Sequence, residues 1–349
     1  MKVLFVTPTY FPKTSGNATT VHRIATHLKS LGVDVCVVSM EHGTPNLAQA
    51  VEGKGVDLIH AFHARRAGVT ALAVANEMGV PLVVTLTGTD VNHDLYNEQR
   101  RASVQCVLQD SAAVFAFHQS IADRVHQEVP GLLGKLHVVP QGVWFPHRRR
   151  CDIRSEWNLN KDDFIFFLPA GVRQVKQPLW AVAPLAGLRR QHPHIKLVIA
   201  GMPLDDDLVG KLSLLCARRS WMRYLGELPY ENMYSALSAV DCVLNTSVNE
   251  GGMSNAILEA MAVRVPVLAA DVFGNRSIIK NGENGLLFGD VEEFIDKAHA
   301  VISDSALRMG LVENAFTAVT QELNPSTEAG HYLEHYQGVI FEQTKRTSK

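Results

Sequence analysis

The sequence predicts an α/β protein built from two doubly wound domains, and three observations lead to that fold class. Short apolar runs rich in β-branched residues alternate with longer stretches of helical pattern along the whole chain. The runs are continuously apolar, which is typical of parallel strands buried on both faces. The chain has 349 residues, too many for one ordinary hydrophobic core. Two open parallel sheets, one in each domain, satisfy all three observations.

The individual strands follow from the apolar runs. The N-terminal domain is predicted to contain six, with the sequences KVLFVTP, VDVCVVSM, VDLIHAF, PLVVTLTG, AAVFAFH and KLHVVPQG. The C-terminal domain is predicted to contain five, with the sequences FIFFLPAG, IKLVIAG, DCVLNTS, VPVLAA and GLLFG. The spacers of about 10–20 residues between them are long enough for the crossover helices that parallel strands require.

The domain boundary is predicted in the stretch VWFPHRRRCDIRSEWN, which contains proline and many charges but no strand or helix periodicity. The two domains then span residues 1–150 and 151–329. The PHRRRC segment is read as a solvated linker, with an anion-binding patch as the alternative. The segment TEAGHYLEHYQGVIFEQ has the pattern of an amphipathic helix after the last strand.

Composition excludes several classes of function. The net charge of −2 gives no reason to expect binding to nucleic acid or to acidic membranes. Five scattered cysteines without a C-x-x-C pair fit a reducing compartment, and no apolar run is long enough for a signal peptide or a membrane span. We therefore expect a cytoplasmic protein. Fifteen histidines form no dense ligand motif, since His60 and His63 are merely three apart, so no metal site is predicted.

Ligands of open α/β sheets bind beyond the carboxyl ends of the strands, and with two sheets we expect the site in the cleft between them. The turn AGVRQVKQP follows a predicted strand and contains Arg173 and Lys176. Two cations beside a helix N-terminus would neutralise a diphosphate without a metal ion. The alternative is two exposed charges at an ordinary turn.

The stretch VNEGGMSNAILEAM follows another predicted strand and contains two glutamates. A loop of small residues lets the backbone approach phosphate oxygens closely, while Glu250 and Glu259 could each accept two hydrogen bonds from vicinal hydroxyls of the same ligand. The alternatives are a solvated loop acid for Glu250 and an acid stabilised by the helix dipole for Glu259. The loop residues assigned to the ligand are Gly251, Gly252, Met253, Ser254 and Asn255.

Two further candidates lie in the N-terminal domain. Asp90, in VVTLTGTDVNHDL, stands at the end of a buried strand and could orient a hydroxyl or accept its proton, or could instead form an Asx-turn or helix N-cap. Gly16 and Asn17 lie between the first strand and its helix, where free N–H groups could contact a phosphate or an acceptor. The G-x-G-x-x-G fingerprint of dinucleotide-binding proteins is absent, so a dehydrogenase is the weakest alternative.

These residues resemble those of the retaining glycosyltransferases of family 4, which have the GT-B fold of two facing Rossmann-like domains, and the similarity covers nearly the whole chain. The resemblance implies that Arg173 and Lys176 bind the donor diphosphate, that Glu250 contacts the donor sugar, and that Glu259 holds the ribose. It further implies that the C-terminal domain binds the donor, that the N-terminal domain binds the acceptor, and that a last helix at about 330–345 returns to the N-terminal domain.

The resemblance also bears on the substrates and the mechanism. The implied donor is a UDP-sugar such as UDP-GlcNAc or UDP-glucose, used as a co-substrate without a cofactor. The segments HARR and LTGTD are similar to selenosugar synthases, which join a UDP-sugar to selenophosphate. If that similarity extends to the acceptor, Arg65 and Arg66 could bind an anionic group; the alternative is two surface arginines at a helix start. The residues assigned to the acceptor are Arg65, Thr87 and Asp90. The implied mechanism is front-face attack, with the departing diphosphate helping to take the acceptor proton.

The sequence departs from the family pattern at two positions. Eight residues separate Glu250 from Glu259 where the family has seven, so either Glu250 keeps the sugar contact through a one-residue bulge, which we favour, or Gly251 takes its place and the contact is lost. Thr87 stands where many members have a histidine near the reacting centre. These departures leave a non-catalytic nucleotide-sugar-binding protein as an alternative. A nucleotide-sugar 2-epimerase, which shares the two-domain architecture, is another.

Overall fold

The computed structural model describes residues 1–11, 15–41, 47, 55–146, 152–250 and 252–347. Only the backbone is described for residues 346 and 347. The chain divides into two compact units. An N-terminal unit comprises Met1–Gly142 together with Leu323–Lys349, and a C-terminal unit comprises Val143–Glu322. The boundaries predicted from the sequence were residues 150 and 329. The three consecutive arginines of the predicted linker lie outside the described residues.

The N-terminal unit is built on a six-stranded parallel sheet with the order β2-β1-β3-β4-β5-β6. Neighbouring strands start in close register, for example with Val3 opposite Val35 on one side and Leu58 on the other. All six predicted strands are present. They are β1 (Lys2–Thr7), β2 (Asp34–Ser39), β3 (Leu58–Phe62), β4 (Leu82–Thr85), β5 (Ala113–Ala116) and β6 (Leu136–Val138).

Both faces of this sheet are buried, which explains why its strands are continuously apolar. Successive side chains of β1 enter different cores, with Leu4 and Val6 in one cluster and Val3 and Phe5 in the other. Helices cover both faces in this unit. They are α1 (Gly16–Ser30), α2 (Gly68–Met78), α3 (Thr89–Asn92), α4 (Glu98–Asp110) and α5 (Gln119–Glu128).

The C-terminal unit contains a second six-stranded parallel sheet, with the order β12-β11-β10-β7-β8-β9. Five of its strands were predicted, and one, β9, was missed because it is a three-residue edge strand, Met222–Tyr224, with an arginine at its centre. Short edge strands lack the continuous apolar signal of central ones. The others are β7 (Phe164–Pro169), β8 (Ile195–Ala200), β10 (Cys242–Asn245), β11 (Val267–Ala270) and β12 (Leu286–Phe288).

The helices of this unit pack against the sheet through a large apolar cluster that includes Phe166 of β7 and Leu197 of β8. No helix in the described part of the chain is long and apolar enough to cross a membrane. The helices are α6 (Ile153–Glu156), α7 (Val182–Leu188), α8 (Asp206–Arg218), α9 (Met233–Ser238), α10 (Asn255–Ala262), α11 (Phe273–Arg276), α12 (Val291–Ser303) and α13 (Ser305–Glu322).

The last helix, α14 (Pro325–Thr347), belongs to the N-terminal unit. Glu328 accepts two hydrogen bonds from the Arg23 guanidinium of α1, at 2.7 and 2.9 Å, and both side chains are almost fully buried. Tyr336 is buried beside His60 of β3, with 2.6 Å between its hydroxyl and Nδ1 of that ring. Burial holds the pKa of His60 well below its usual range, so the ring is neutral at pH 7. Ion pairing and aromatic burial together attach this helix to the sheet.

Candidate functional site

The strand order of the C-terminal sheet identifies where a ligand would bind in that unit. The chain runs outward from β7 to β8 and β9 in one direction, and then from β10 to β11 and β12 in the other. The order therefore reverses between β7 and β10, and the loops beyond their carboxyl ends form the crevice where open α/β sheets bind ligands. Both loops singled out from the sequence, the one with Arg173 and Lys176 and the one with Glu250, begin at this point.

The two loops are joined by hydrogen bonds of their own. The Thr246 hydroxyl, directly after β10, donates to the carbonyl oxygens of Lys176 and Gln177 at 2.8 and 3.0 Å. The backbone N–H of Val248 donates to the carbonyl of Val175 at 3.0 Å. Gln177 has a φ of 41°, which is unfavourable for a residue other than glycine and is held here by those contacts. The loop after β7 is thus fixed against the loop after β10.

The ion pair between Lys176 and Glu250 is the centre of this arrangement. Lys176 Nζ lies 2.5 Å from Glu250 Oε1, and the two side chains are 17% and 9% exposed. Arg173 is half-buried at the start of the same turn, where its backbone is extended before the single 3₁₀ turn Gln174–Lys176. The structure therefore brings one predicted cation together with one predicted carboxylate, in a place with limited access to water.

Glu250 is held in the ionised form by its neighbours. Burial alone raises the pKa of this carboxyl, but the charge of Lys176 and hydrogen bonds from Lys176, Asn245 and Ser247 together bring that pKa below its usual range. The Asn245 amide donates to Oε1 at 2.9 Å and the Ser247 hydroxyl donates to the same oxygen at 2.7 Å. A carboxylate with a fixed position and a full negative charge is the result.

The backbone around Glu250 has little space. A Cβ on Gly274 would lie 2.4 Å from the Glu250 carbonyl oxygen and 2.6 Å from the Glu250 Cβ, so only glycine allows α11 to come this close. Gly252, two residues after the glutamate, has a φ of 152°, which also favours glycine. Gly251 is the residue that would replace Glu250 at the sugar contact if the loop had no bulge. It lies outside the described residues.

The N-terminus of α10 follows this loop. Ser254 is the N-cap residue, but its side chain forms no hydrogen bond to the helix, and no acidic side chain occupies the first turn. Met253 and Asn255, on either side of it, are half-buried. The first N–H groups of a helix lack partners within the helix and attract anions. This end of α10 is therefore suited to a phosphate.

Glu259 lies one turn further along α10 and is buried. Its Oε1 accepts a hydrogen bond from the Tyr230 hydroxyl at 3.1 Å, and the same hydroxyl lies 2.8 Å from the carbonyl oxygen of Trp144. The Tyr230 side chain thus connects Glu259 to the start of this unit. A buried carboxylate in this position can accept hydrogen bonds from the hydroxyls of a polyol.

Asp90 was predicted to orient a hydroxyl or to accept its proton. Its side chain is fully buried. The carboxylate accepts hydrogen bonds from four backbone N–H groups at 2.8–3.2 Å, those of Ala64, Thr87, Gly88 and Val91. None of these donors is the N–H of Asn92, two residues further on, and the N-cap of α3 is Gly88, so Asp90 forms neither the Asx-turn nor the N-cap of the alternatives. Asp90 therefore shapes the loop, and its part in a reaction stays a prediction.

Arg65 is part of a charged cluster at the ends of β3 and β4. Its Nε donates to Asp94 Oδ2 at 3.1 Å, and Arg100 donates to the other oxygen of Asp94 at 3.0 Å. Burial raises the pKa of Asp94, but hydrogen bonds from Arg100, His93 and Arg65 lower it below the usual range. The Arg65 side chain is 35% exposed. Thr87 lies half-buried two residues after β4, and its backbone N–H is bound by Asp90.

His63 is a residue in this cluster whose role the sequence did not indicate. It has a φ of 92°, and its Nδ1 accepts hydrogen bonds from the backbone N–H groups of Arg65 and Arg66 at 3.2 and 3.1 Å. Because Nδ1 is an acceptor, the neutral ring has its proton on Nε2, which donates to the Thr89 hydroxyl at 2.8 Å. Burial lowers the pKa of His63, in agreement with a neutral ring.

Gly16 and Asn17 begin α1, directly after the loop that follows β1. Gly16 is exposed, and Ser15 caps the helix by accepting from the N–H of Ala18. Asn17 Nδ2 donates to the Thr7 hydroxyl at 2.6 Å, while its Oδ1 is buried and forms no hydrogen bond with the described residues. Both residues lie in the N-terminal unit, at the carboxyl end of its first strand.

No group of three or more His, Cys, Asp or Glu side chains in the described ranges is arranged to hold a metal ion. Residues of the C-terminal site that sequence reasoning did not find include Asn245, Thr246, Ser247, Tyr230 and Gly274. Asn245 is the last residue of β10, a predicted strand, three positions before the segment VNEGGMSNAILEAM, and that position was a usable signal. Tyr230 and Gly274 are distant in sequence from the glutamates, and only the folded chain brings them together.

Comparison with known proteins agrees with this architecture. Residues 150–318 match the family model for "Glycosyl transferases group 1", and residues 39–142 match the model for "Glycosyl transferase 4-like domain". The structure also resembles sucrose-phosphate synthase from Thermosynechococcus elongatus, with a TM-score of 0.81, 16% identity, and coverage of 98% of this chain and 99% of that one. Together with the two parallel sheets, this similarity confirms the predicted GT-B fold class.

Individual relatives extend the comparison. The chain is 29% identical over 326 residues to "Glycosyltransferase 1 domain-containing protein 1" of Xenopus tropicalis, covering 90% of this chain and 91% of that protein. It is 20% identical to Anabaena Alr3699/HepE, solved in complex with UDP-glucose, with a TM-score of 0.81 over 97% of this chain and 100% of that one. The two family models together span most of the sequence without overlap. Similarity to glycosyltransferases thus extends over both units of the chain.

Proposed function

We propose that this chain is a retaining glycosyltransferase of family 4 that transfers a sugar from a UDP-sugar to an acceptor. The observation on which this proposal rests is the Lys176–Glu250 pair at the point where the C-terminal sheet reverses, next to the start of α10. The pair places a cation for a diphosphate beside a carboxylate for sugar hydroxyls. Few ligands require both within a few ångströms, and a nucleotide sugar is one of them.

The diphosphate of the donor would be bound by Arg173, Lys176 and the first N–H groups of α10. Two side-chain cations and a helix N-terminus together balance most of the charge of a diphosphate. The loop residues from Gly252 to Asn255 are small or half-buried, so that the backbone can approach the phosphate oxygens. Binding would therefore need no metal ion, and we expect a chelator to leave turnover unchanged.

The two glutamates would bind the two sugars of the donor. Glu250 is fixed and ionised, and we assign it to the hydroxyls of the transferred sugar, so that the additional residue before Glu259 is accommodated in the glycine loop. Glu259 is held by Tyr230 and is assigned to the ribose. A carboxylate accepts hydrogen bonds from two vicinal hydroxyls at once, which makes both assignments chemically suitable.

Transfer would proceed on one face of the sugar. The bond from C1 to the phosphate oxygen breaks, the acceptor oxygen forms its bond to C1 from the same side, and the acceptor proton passes to the departing phosphate. Negative charge develops on the diphosphate during this step, and Arg173 and Lys176 would stabilise it. Because Asp90 is bound by backbone N–H groups, we assign it no part in the proton transfer.

Two similar proteins suggest the nature of the donor. One, from Escherichia coli, is described as "UDP-Gal:alpha-D-GlcNAc-diphosphoundecaprenol alpha-1,3-galactosyltransferase" and is 24% identical over 288 residues. Together with the HepE complex with UDP-glucose, it supports a UDP-sugar. We propose UDP-GlcNAc or UDP-glucose as the donor. On the acceptor side we propose Arg65 and Thr87, and the similarity to selenosugar synthases stays a prediction.

The test is thermal stability of the wild-type protein with UDP, GDP, ADP, UDP-GlcNAc, UDP-glucose and NAD. A ligand at 100 times its Kd adds ~2.7 kcal/mol to the free energy of unfolding, which is easily measured. We expect the uridine compounds to raise Tm, and Arg173→Ala to lower turnover of the stabilising donor by about 10²–10³-fold while remaining folded. Stabilisation by NAD alone, or normal turnover in the variant, would contradict the proposal.

A further inference from the structure

Asn245 is the last residue of β10, and its side chain connects three parts of the site. Its Nδ2 donates to Glu250 Oε1 at 2.9 Å. Its Oδ1 accepts from the backbone N–H of Ser247 at 3.0 Å and lies 3.4 Å from Nδ2 of Asn275, on α11. Asn245 and Asn275 are both buried. A side chain with both ends engaged at the end of a central strand cannot easily change its orientation.

The orientation of this amide follows from its partners. A backbone N–H can only donate, so the group of Asn245 that faces Ser247 has to be the carbonyl oxygen. The NH₂ group is then directed at Glu250. A carboxylate is stabilised in its charged form by such a donor, and a fixed donor also selects one position of the glutamate side chain.

We propose that Asn245 is a positioning residue that fixes Glu250 toward Lys176 and keeps it available, as a carboxylate, for the donor sugar. The contact between Asn245 and Glu250 is a feature of the structure. Its importance for binding the donor sugar rests on the proposed function. Three donors converge on Glu250 Oε1, from Lys176 at 2.5 Å, Ser247 at 2.7 Å and Asn245 at 2.9 Å. Lys176 would be shared with the diphosphate and the Ser247 hydroxyl can rotate. The amide is the donor with a fixed direction.

Asn245→Asp converts this role into a measurable pH dependence. One oxygen of the new carboxylate would still accept from the Ser247 N–H, while the other would face Glu250 Oε1. Two carboxylates at that distance share a proton, and the apparent pKa of the pair is raised. With the proton present, the new residue donates to Glu250 as the amide did. Lys176 is the cation that the described contacts place against this pair, and Ser247 and Asn275 are neutral.

The first experiment is a double-mutant cycle on Tm as a function of pH, without substrate. We expect the loss of Tm in Asn245→Asp to be small at acid pH and to grow as the pH rises through the pKa of the shared proton. We expect this pH dependence to disappear when Glu250→Gln is added. As a matched control, Asn284→Asp also introduces a carboxylate at a buried amide of the same unit, since Asn284 accepts from the Lys280 N–H at 2.8 Å. Its effect on Tm should be the same with and without Glu250→Gln.

The second experiment is the pH profile of kcat/KM for the donor found by thermal stability, measured where each variant is folded. We expect kcat/KM of the wild type to be constant across neutral pH. In Asn245→Asp, kcat/KM should fall about tenfold per pH unit above the pKa of the shared proton. Asn245→Leu should be low throughout, and Asn284→Asp should follow the wild type. The proposal would be overturned if the pH dependence of Tm in Asn245→Asp remained after Glu250→Gln was added. It would also be overturned if the pH profile of kcat/KM in Asn245→Asp were that of the wild type. A wild type that binds no nucleotide sugar would instead overturn the proposed function, since the stability cycle needs no ligand.

Discussion

Lys176 and Glu250 form a nearly buried ion pair, and a change of pH tests how much it contributes. The pKa of Glu250 in the folded protein lies below its ordinary value of 4.5. The pair therefore stabilises the protein fully above that value, and the contribution is lost as the pH falls through the lowered pKa. We expect Glu250→Gln to lower Tm at neutral pH and to reduce its dependence on pH in the acid range. The exposed pair of Arg264 and Glu313 supplies the control, because Glu313→Gln should change Tm little. Identical pH dependence in Glu250→Gln and the wild type would contradict the ion pair.

Asp90 gives a second test at the residue scale. A structural role predicts that its substitution lowers stability, and a catalytic role predicts that it lowers turnover. Asp90→Asn removes charge and part of the acceptor capacity for four backbone N–H groups. We expect the free energy of unfolding to fall by about 2 kcal/mol, measured by urea denaturation. Asp123→Asn, at an exposed aspartate of α5, is the control and should be nearly neutral. Loss of turnover at unchanged stability would show that Asp90 acts in catalysis after all.

The residues that sequence reasoning identified share one property. Arg173, Lys176 and Glu250 each lie in a loop that begins where an apolar strand ends, so a single rule about parallel sheets was enough to select them. Hydrogen-bond partners do not follow from such a rule. Asp90 also lies shortly after an apolar strand. Only the backbone N–H groups around its carboxylate indicate a role in shaping the loop. The contact between Tyr230 and Glu259 joins residues 29 positions apart and has no local signature.

At the scale of secondary-structure elements, α11 sets the position of the Glu250 backbone. The close approach at Gly274 leaves no room for a side chain. We expect Gly274→Ala to lower both Tm and the affinity for UDP, because α11 or the Glu250 loop has to move. Gly310→Ala, in the exposed face of α13, meets nothing within 4 Å and should raise stability by about 0.5–1 kcal/mol. Wild-type affinity and Tm in Gly274→Ala would show that the two elements are not in contact.

The attachment of α14 to the N-terminal unit depends on the buried pair of Arg23 and Glu328. Glu328→Gln removes the charge that pairs with the Arg23 guanidinium in a buried position. We expect a loss of about 3–5 kcal/mol in the free energy of unfolding, measured by chemical denaturation. Glu128→Gln, which breaks the more exposed pair with Arg101, should cost about 0–1 kcal/mol. Equal losses in the two variants would mean that the Arg23 pair is not buried in solution.

The elements also show where sequence patterns succeed and where they fail. Eleven strands were predicted because both faces of each sheet are covered, so that runs such as that of β1 are apolar at every position. β9 was not predicted, because it lies at the edge of its sheet and is only three residues long. The length of a strand and its place in the sheet depend on neighbours that are distant in sequence.

At the scale of the whole molecule, each unit has its own parallel sheet and its own cores, and the two family models divide the chain at nearly the same place as the structure does. Chain length and the alternation of strands and helices were sufficient to predict this fold class. The assignment of α14 to the N-terminal unit came from a family resemblance, because an amphipathic pattern predicts a helix but does not say which sheet it covers.

The central claim is that the C-terminal unit binds a nucleoside diphosphate sugar through Lys176. The most direct test is calorimetric titration of UDP into the wild type, Lys176→Met and Lys211→Met, below the Tm of each. Lys211 pairs with Asp207 on an exposed face of α8 and controls for the loss of one positive charge. We predict that the wild type and Lys211→Met bind UDP equally, and that Lys176→Met binds about 10–100-fold more weakly, as expected for the loss of a charged hydrogen bond. Equal affinity in all three proteins, or no binding to the wild type, would contradict the claim.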